Sequence, residues 1–209
     1  DGFLFFAYTE RITERGDAGM SIEVEIKLKI KNKKQVIDSL KTIGFLEGRY
    51  VVETDTYYTS SHHDFAARGE ALRIRKVEDP KSGKETCLIT YKGAKLDQVS
   101  MTRQELETEV GDGETVRKIL EIIGFCPVSP VEKQRLYLRK DNMTACLDEV
   151  KGLGNYLELE ILTDAEEERT KALKQIENVL EILGYSMKDT TRTSYLSMLK
   201  KKDKDGSNA

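Results

Sequence analysis

Apolar and polar residues alternate with a period of two along much of the chain, which is the pattern of half-buried β-strands. The clearest case is residues 21–30, where isoleucine, valine or leucine occupies every second position and glutamate or lysine most of the positions between. The alternation predicts strands at 21–30, 50–58, 70–77, 85–92, 101–110, 131–140, 143–150 and 155–163. Most of these strands follow one another through short turns, so we expect a largely antiparallel sheet.

Three amphipathic stretches end in the same short motif, a leucine followed by isoleucine or leucine, glycine and an aromatic residue, at 40–45, 120–125 and 180–185. Glycine at this position favours the left-handed backbone that ends many helices. The pattern predicts helices at 32–44, 112–124 and 165–183, and a shorter one at 190–200. The first two helices are followed by strands at equal spacing, which indicates one continuous domain with two related halves.

The predicted domain spans residues 20–199, and the composition changes at both ends. Residues 1–19 lack clean periodicity and the features of a secretory signal, so we expect an N-terminal extension that is not part of the fold. Residues 200–209 are charged and Gly/Ser-containing, which predicts a disordered tail. The longest apolar run, Phe3 to Tyr8, is far shorter than the roughly 20 residues needed to cross a bilayer. We therefore expect no membrane association.

Composition adds that the chain is highly charged but almost neutral. Its 34 lysines and arginines nearly balance 37 aspartates and glutamates, for a formal net charge of -3. A general nucleic-acid binder carries a marked basic excess, so that class is disfavoured. The three cysteines are widely spaced and form no CxxC pair, which suggests neither a disulfide framework nor a zinc site and favours a cytoplasmic location.

The polar positions of the strands are ionic rather than merely polar. They hold Glu23, Glu25 and Lys27 in the first strand, and Arg73 and Arg75 in the third. A face in contact with water explains one such strand, but outer faces usually carry much threonine, serine and glutamine. Ionic rows on many strands favour a sheet that curls into a barrel around a polar interior. The helices and the antiparallel strands together predict an α+β fold, and if its sheet closes with the helices outside, the ionic rows converge on an interior large enough for a ligand.

An interior with both signs of charge narrows the class of ligand. Clustered arginine and lysine suit phosphoryl oxygens, because they donate charge-assisted and often bidentate hydrogen bonds. Carboxylates in the same space would repel a polyanion unless they hold a hard divalent cation that bridges to it. Glutamate and aspartate oxygens suit Mg²⁺ or Mn²⁺. The combination predicts a metal-phosphate site.

The motif Glu23-x-Glu25-x-Lys27 near the start of the domain resembles the CYTH superfamily, named for class IV adenylyl cyclases and thiamine triphosphatases and also called triphosphate tunnel metalloenzymes. Further motifs follow in the family's order: Asp55-Thr56-Tyr57-Tyr58, Leu72-Arg73-Ile74-Arg75, Tyr91-Lys92-Gly93, Arg103-x-Glu105, Glu132-Lys133-Gln134-Arg135, Leu147-Asp148 and Glu158-Leu159-Glu160. The resemblance covers about residues 20–199. It implies an eight-stranded antiparallel closed β-barrel with helices packed outside. The tunnel of this barrel is expected to bind a triphosphate-containing small molecule, ATP or tripolyphosphate, with Mg²⁺ or Mn²⁺ as cofactor.

The resemblance also implies roles for individual residues. Carboxylates of the metal site are expected at Glu23, Glu25, Glu105, Asp148, Glu158 and Glu160. Triphosphate ligands are expected at Lys27, Arg73, Arg75, Lys92, Lys133, Arg135 and Arg192. The residues expected to act directly in catalysis are Glu25, Lys27 and Arg135. Which of Glu105 and Glu107 points inward depends on the strand register and stays open.

Two further motifs have an ordinary structural explanation. The adjacent histidines His62 and His63 fall in a predicted loop, which favours a polar loop over a metal site. The turn Gly152-Leu153-Gly154 is followed by a strand rather than a helix, so a hairpin or bulge explains it better than a phosphate loop. Within the family, however, this turn resembles the class IV cyclase branch.

The glycine turn therefore favours a class IV-type adenylyl cyclase, which converts ATP to cyclic AMP and pyrophosphate. The alternatives are an inorganic, thiamine or nucleoside triphosphatase, and a non-catalytic polyphosphate-binding module. Both enzymes need a metal to activate an oxygen and cations to neutralise developing charge. A mere binding module would gain little from so many carboxylates beside its anion. Oligomeric state is left open, with a homodimer as one alternative.

Overall fold

A computed structural model describes residues 21–163 and 166–206. Within these ranges the strands are β1 (Ser21–Lys29), β2 (Leu46–Ser60), β3 (Ala71–Glu78), β4 (Glu85–Lys95), β5 (Arg103–Val110), β6 (Phe125–Pro127), β7 (Val131–Lys140), β8 (Met143–Val150) and β9 (Gly154–Thr163). The α-helices are α1 (Lys33–Thr42), α2 (Gly113–Ile122), α3 (Arg169–Ile182) and α4 (Tyr195–Gly206). Two short 3-10 helices lie at Glu166–Glu168 and Met187–Asp189.

Eight of the strands form a closed antiparallel barrel in the order β1-β9-β8-β7-β2-β3-β4-β5, and β5 returns to β1. The short strand β6 adds to the end of β2 and is not part of the ring. β1 completes the ring, because it pairs with β9 along one edge and with β5 along the other. The predicted eight-stranded antiparallel barrel with helices outside is confirmed.

The apolar face of β1 points away from the barrel interior, toward the helices. Val24, Ile26 and Leu28 are almost completely buried and belong to one core with Leu40 of α1 and Ile176 of α3. Successive side chains of a strand point to opposite sides of the sheet, so the ionic residues between them point inward. The main hydrophobic core therefore lies outside the barrel wall, and charged residues share the interior with a small apolar cluster of Val51, Val77, Leu88, Tyr137 and Cys146.

Three helix ends confirm the repeated glycine motif. Gly44, Gly124 and Gly184 follow α1, α2 and α3 with φ angles of 95°, 95° and 81°. Residues with a Cβ rarely adopt this region, which is why glycine occupies the position. Each glycine N–H donates to a carbonyl of the last helical turn, at 3.0 to 3.1 Å. The motif ends each helix and turns the chain back toward the barrel.

The second strand is longer than its alternation predicted. β2 begins at Leu46 rather than at residue 50, because its first residues pair with the end of β7 before a register shift between Glu47 and Tyr50. Those first residues are mostly exposed on both faces, so they show no apolar-polar alternation. The three-residue strand β6 was also missed, since it is too short to carry a period.

The C-terminal region differs from the prediction in two ways. The last helix begins at Tyr195 rather than near residue 190, because the segment before it pairs with the end of β1 through a hydrogen bond from the Thr191 N–H to the Lys27 carbonyl (2.7 Å). The helix then continues to Gly206, so residues 200–206 are helical where a disordered tail was predicted.

Residues 1–19, predicted to be an extension, lie outside the described residues. The cysteines Cys87, Cys126 and Cys146 are free thiols, as their spacing suggested. None of the helices in the described ranges is both long enough and apolar enough to span a membrane.

Candidate active site: a charged tunnel through the barrel

The barrel encloses a cavity of about 1460 Å³ that is lined by the ionic rows of the strands. Many charged residues on its wall are nearly inaccessible to water. Only 4 to 6% of the surface is exposed in Lys27, Arg73, Arg75, Lys133 and Arg135. Charges this deeply buried are stable only when they are paired or bind a ligand. The pattern of pairing therefore shows what each part of the tunnel can do.

The first set of paired charges lies on β2 and β3. The strand register places Asp55 opposite Arg75, and the carboxylate accepts two hydrogen bonds from the guanidinium, at 2.6 and 2.8 Å. Arg75 Nη1 is also 3.2 Å from Glu53. Burial would raise the pKa of Asp55, but Arg75 and Arg73 lower it well below its ordinary value. In the same way the pKa of Glu53 is about 2, because nearby cations outweigh burial.

The second set of paired charges joins β7, β8 and β9. Arg135 donates two hydrogen bonds of 2.6 Å to Asp148 and a further one to Glu158. Glu158 also pairs with Lys27 at 2.9 Å. Burial would raise the pKa of Glu158, but Lys27 and Arg135 lower it well below its ordinary value. The Tyr195 hydroxyl, at the start of α4, donates to Asp148 at 3.0 Å.

Two further cations complete the basic wall. Lys133 lies between Glu53 and Asp148, with Nζ 3.3 and 3.5 Å from their carboxylate oxygens. Arg73 lies at the junction of β3, β4 and β5, where its Nη2 is 3.8 Å from Glu105 and 3.5 Å from Glu107. Both glutamates therefore point into the tunnel, which answers the question that the sequence left open. We call the group Arg73, Arg75, Lys133 and Arg135 the basic cradle.

β1 and β9 carry a second kind of carboxylate, which faces other carboxylates. Glu25 and Glu160 are direct cross-strand partners, a placement that is destabilising for like charges. Burial, and then neighbouring carboxylates, raise the pKa of Glu25 above its ordinary value. Burial raises the pKa of Glu160, and the negative charge of Glu23 adds to the rise, so that the pKa is about 8. We call Glu25 and Glu160 the facing pair.

Cations near the facing pair are shared with other carboxylates. Lys27 Nζ is 3.5 Å from Glu25 but only 2.9 Å from Glu158. Arg135 Nη1 is 3.7 Å from Glu160, while the same guanidinium makes its short contacts elsewhere. The negative charge of the facing pair is therefore only partly neutralised by the protein.

A β-bulge in β4 brings an additional cation into the tunnel. The register shifts between Lys92 and Lys95, so that Lys92 lies opposite Glu105 and Lys95 lies opposite Arg103. Both lysines line the cavity although they are three residues apart, because a bulge re-aims the side chains that follow it. Lys92 pairs with Glu23 at 2.8 Å and with Glu105 at 2.7 Å. Sequence reasoning missed Lys95, since strict alternation places it outside.

Arg192, a predicted triphosphate ligand, uses its guanidinium to bind the loop between β4 and β5. It donates to the carbonyl oxygens of Ser100 and Asp97 at 2.9 and 2.5 Å, and to the Gln98 side chain at 3.1 Å. Arg192 therefore holds the loop between β4 and β5 against the segment that precedes α4. The other predicted site residues meet inside the barrel.

Sequence reasoning assigned no role in the site to several residues of the tunnel wall, including Asp55, which it placed in a family motif. Glu53 and Asp55 share the inner face of β2, and their alternation with apolar or small residues could have revealed them. Tyr137 donates to Glu53 at 2.7 Å from the neighbouring strand. The ring of Tyr195 lies 4.2 Å from the Lys27 ammonium, a contact that no local pattern predicts because α4 is brought there by the fold.

The facing pair has the donor chemistry that suits a hard divalent cation. Its carboxylate oxygens lie on one buried face and lack full neutralisation, and Mg²⁺ is commonly bound by one or two protein carboxylates together with water and substrate phosphates. Over the described ranges, no three His, Cys, Asp or Glu side chains are gathered in a geometry that could hold a metal. Glu25 and Glu160 would therefore supply at most two ligands to a divalent cation, and its other ligands would have to come from phosphate oxygens and water.

A closed barrel with its core outside, a basic cradle and a facing pair of carboxylates inside defines a class of tunnel proteins that combine a polyanion with a divalent cation. The chain belongs to the CYTH domain family, whose model matches residues 21–195. CYTH domains bind triphosphate substrates and are in general metal-dependent enzymes. The resemblance that the motifs carried is thereby confirmed.

Individual relatives agree with this assignment. A protein of Methanocaldococcus jannaschii named "Putative adenylate cyclase MJ0240" is 37% identical over 177 residues, which are 85% of this chain and 98% of that protein. The structure of the PH1819 protein from Pyrococcus horikoshii OT3 has a TM-score of 0.78 at 34% identity, over 86% of this chain and 99% of that one. HpAC1 from Hippeastrum, for which a dominant triphosphatase activity is described, shares the fold with a TM-score of 0.60 at 20% identity, over 87% of this chain and 96% of that one.

Proposed function

We propose that this protein is a class IV-type adenylyl cyclase, which converts ATP to cyclic AMP and pyrophosphate. The observation that carries the proposal is the position of the facing pair, Glu25 and Glu160, beside the basic cradle in one buried cavity. The cradle suits a triphosphate and the facing pair suits a divalent cation. The name of the 37% identical relative from M. jannaschii supports cyclase activity.

The cradle arginines are held in place before the substrate binds. Asp55 fixes the plane of Arg75, and Asp148 fixes that of Arg135, each through two hydrogen bonds of 2.6 to 2.8 Å. Donors that are already oriented need little reorganisation when charge develops on a phosphate, which is the main electrostatic advantage of an enzyme site. In this proposal Arg135 contacts the reacting phosphate, and Asp148 is a positioning residue.

Lys27 lies between the facing pair and the cradle. Burial would lower the pKa of Lys27, but Glu158 and Glu25 raise it above its ordinary value, so the side chain keeps its positive charge. A permanent cation at this point would neutralise charge on the pyrophosphate as it leaves. A divalent cation held by Glu25 and Glu160 would supply activation of the attacking hydroxyl and further charge neutralisation.

A triphosphatase is the second candidate function, because the buried cations of the tunnel suit phosphates and would serve a triphosphate with or without a nucleoside. The same residues would serve attack by water on the terminal phosphorus of tripolyphosphate, thiamine triphosphate or a nucleotide. A non-catalytic polyphosphate-binding module is disfavoured, since the facing pair would weaken anion binding without adding anything to it.

Product analysis separates the three functions. The protein is incubated with Mg²⁺ or Mn²⁺ and, separately, with ATP, tripolyphosphate or thiamine triphosphate. We expect cyclic AMP and pyrophosphate from ATP. Release of orthophosphate instead would identify a triphosphatase, and the absence of any turnover would favour a binding module. The Glu25→Gln variant and excess chelator are the matched controls, and full turnover in either would contradict the metal site.

A further inference from the structure

Glu53 is a buried carboxylate that lies behind the basic cradle rather than on the surface of the cavity. It is on the inner face of β2 and is 0% exposed, and within the described ranges it does not border the cavity. Three cations of the cradle do border the cavity: Arg75, Lys133 and Arg135. Any effect of Glu53 on a bound substrate must therefore pass through these cations.

Glu53 connects two groups of cations that belong to different strands. Asp55 pairs with Arg75 on β3, whereas Asp148 pairs with Arg135 on β7. Because β2 lies between β3 and β7, its residue Glu53 can contact both groups. Glu53 Oε2 is 3.2 Å from Arg75 Nη1 and 4.0 Å from Arg135 Nε. The separation of the two arginines therefore depends on where this oxygen lies.

The position of the carboxylate is fixed by Tyr137 rather than by the cations. The Tyr137 hydroxyl donates to Glu53 Oε1 at 2.7 Å. In the described part of the chain no donor is aligned to form a hydrogen bond with Oε2, although Arg75 Nη1 and Lys133 Nζ are only 3.2 and 3.3 Å away. Coulomb attraction depends on distance alone, whereas a hydrogen bond also requires a direction. The hydroxyl therefore sets the direction in which Oε2 faces the cradle.

Tyr137 is itself held in place by packing. The residue is 6% exposed, and it belongs to the small apolar cluster inside the barrel. Burial, and then the negative charge of Glu53, raise the pKa of Tyr137 well above its ordinary value, so the hydroxyl keeps its proton and remains a donor. Tyr137 also borders the cavity, where a direct contact of its hydroxyl with a substrate would compete with the bond to Glu53.

We propose that Tyr137 and Glu53 are a positioning pair, in which the hydroxyl orients the carboxylate and the carboxylate holds the cations of both strands at the spacing that the transition state requires. The inference deepens the proposed function and rests on it for the identity of the substrate. Donors that are oriented before charge develops act chiefly on the transition state. The pair is therefore expected to affect the chemical step more than the binding of the substrate.

A Glu53 that only neutralises the cradle leads to a different expectation. A carboxylate beside the cradle opposes anion binding, so removing a merely neutralising charge would tighten the binding of a polyanion and leave kcat unchanged. A carboxylate that positions the arginines lowers kcat when it is moved or lost, whatever happens to the affinity. Measuring kcat and Kd separately therefore distinguishes the two roles.

Tyr137→Phe is the first test, because it removes one oxygen and leaves the ring in its cluster. The Kd for tripolyphosphate is measured calorimetrically in excess chelator, and kcat is measured from product formation at saturating ATP and Mg²⁺. Misplacement of a group that contacts the substrate can cost roughly 100-fold, so we expect kcat to fall by roughly 10-fold to 100-fold. The Kd should change by less than about 3-fold, because every charge of the cradle remains.

Two substitutions of Glu53 separate position from charge. Glu53→Asp keeps the charge but withdraws the carboxylate by one carbon–carbon bond, about 1.5 Å. Glu53→Gln keeps the shape but removes the charge. We expect kcat to fall by at least about 10-fold in both variants, and the Kd for tripolyphosphate to fall only in Glu53→Gln. Recovery of the parent kcat in Glu53→Asp would show that charge alone matters and would overturn the proposal.

Tyr50→Phe is the matched control. Tyr50 donates to the Gln134 side chain between the same two strands, β2 and β7, but on the outer face of the sheet, so its kcat and Kd should equal those of the parent. An equal loss of kcat in Tyr50→Phe and Tyr137→Phe would assign the effect to the pairing of the two strands and overturn the proposal. If the Glu53 variants do not fold, as shown by their melting curves, the two tyrosine variants decide.

Two further outcomes for Tyr137→Phe would overturn the positioning pair. An unchanged kcat would mean that the orientation of Glu53 does not matter for the reaction. A Kd that rises in parallel with the fall in kcat would mean that the hydroxyl binds the triphosphate directly.

A failure of the proposed function is recognised separately, from the products of the parent protein. A parent that releases orthophosphate instead of cyclic AMP is not a cyclase, and the same comparison of kcat on that hydrolysis then decides the positioning pair. A parent that forms cyclic AMP at the rate of its Tyr137→Phe variant is a cyclase without the positioning pair. A parent that turns over no triphosphate overturns both.

Discussion

The buried carboxylates of the tunnel form two groups that differ in what lies opposite them. Asp55 and Asp148 each accept two hydrogen bonds from an arginine of the basic cradle. Glu25 and Glu160 lie opposite each other across β1 and β9. The first group is fully partnered in the protein alone, so we assign it to stability and to positioning of the arginines. The second group is only partly partnered, so we assign it to a ligand that the protein does not itself provide.

The largest expected effect comes from breaking a partnered carboxylate. Asp55→Ala removes the partner of Arg75 at a position that is 1% exposed. Removing one partner of a buried ion pair costs about 3–5 kcal/mol, and because Arg75 keeps its 3.2 Å contact with Glu53 we expect the free energy of unfolding to fall by about 3 kcal/mol. Denaturant unfolding measures it. A change below about 1 kcal/mol would mean that Asp55 is not essential for keeping Arg75 buried.

The second prediction concerns the facing pair, where activity and stability should separate. Glu160→Gln replaces a buried carboxyl group with a raised pKa by a neutral group of the same shape, so we expect the metal-free protein to be as stable as the parent near neutral pH and more stable above about pH 8. Turnover should fall by at least about 100-fold, equivalent to about 2.7 kcal/mol. Melting curves and initial rates at saturating metal measure the two effects. A Glu160→Gln variant that is much less stable than the parent would place Glu160 with the partnered group.

The third prediction is a pH dependence of opposite sign for the two groups. Glu160 has a raised pKa of about 8, so below that pH the folded form retains a proton that the unfolded form releases near pH 4.5, and stability falls as pH rises through about 8. Glu53 has a lowered pKa of about 2, so its stabilisation is present above pH 4.5 and is lost as pH falls toward 2.

Melting temperatures of the metal-free protein between pH 3 and pH 9 test these signs. We expect a decline on the alkaline side that Glu160→Gln reduces, and a decline on the acid side that the same variant leaves unchanged. A parent protein whose melting temperature is flat from pH 6 to pH 9 would contradict the raised pKa of Glu160.

The smallest expected effect comes from a charge outside the tunnel. Lys31 is exposed just beyond β1, so Lys31→Ala should change the free energy of unfolding by less than about 0.5 kcal/mol.

Lys31→Ala is the control for the inward-facing residue of the same strand, Lys27. Lys27→Ala should abolish turnover and remove most of the thermal stabilisation that tripolyphosphate gives the parent. Equal ligand-induced shifts in the parent and the Lys27→Ala variant would contradict an inward-facing ionic row.

The elements of the barrel could be predicted because one face of most strands is ionic and the other apolar. In β1 this contrast runs through the whole strand, and its bounds agree with the prediction to within one residue. The first residues of β2, from Leu46 on, could not be predicted, since they are exposed on both faces of the strand and show no alternation. The extent of α4 depends on the pairing of Thr191 with β1, which is a contact between distant parts of the chain.

The identity of the site residues was easier to predict than their partners. Motifs place Glu25, Arg75 and Arg135 in the tunnel, but only the register shows that Glu25 lies opposite Glu160. The bulge that turns Lys95 inward has no signal beyond a glycine after Lys92. The alternation in the sequence shows on which face of the sheet a side chain lies. It does not show which charged side chain lies opposite on the neighbouring strand, and the proposed function depends on that pairing.

The position of β1 in the ring has a consequence for the order of folding. β1 precedes every other strand in the described chain, but its neighbours in the barrel are β5 and β9. During synthesis Glu25 leaves the ribosome early, but its cross-strand partner Glu160 follows only with residues 154–163, and contacts between such distant segments form slowly. Arg75 and Asp55, by contrast, meet as soon as one hairpin is complete. A chain that stops before β9 has the pairs Arg75–Asp55 and Arg135–Asp148 but still lacks the facing pair, so the facing pair is assembled last.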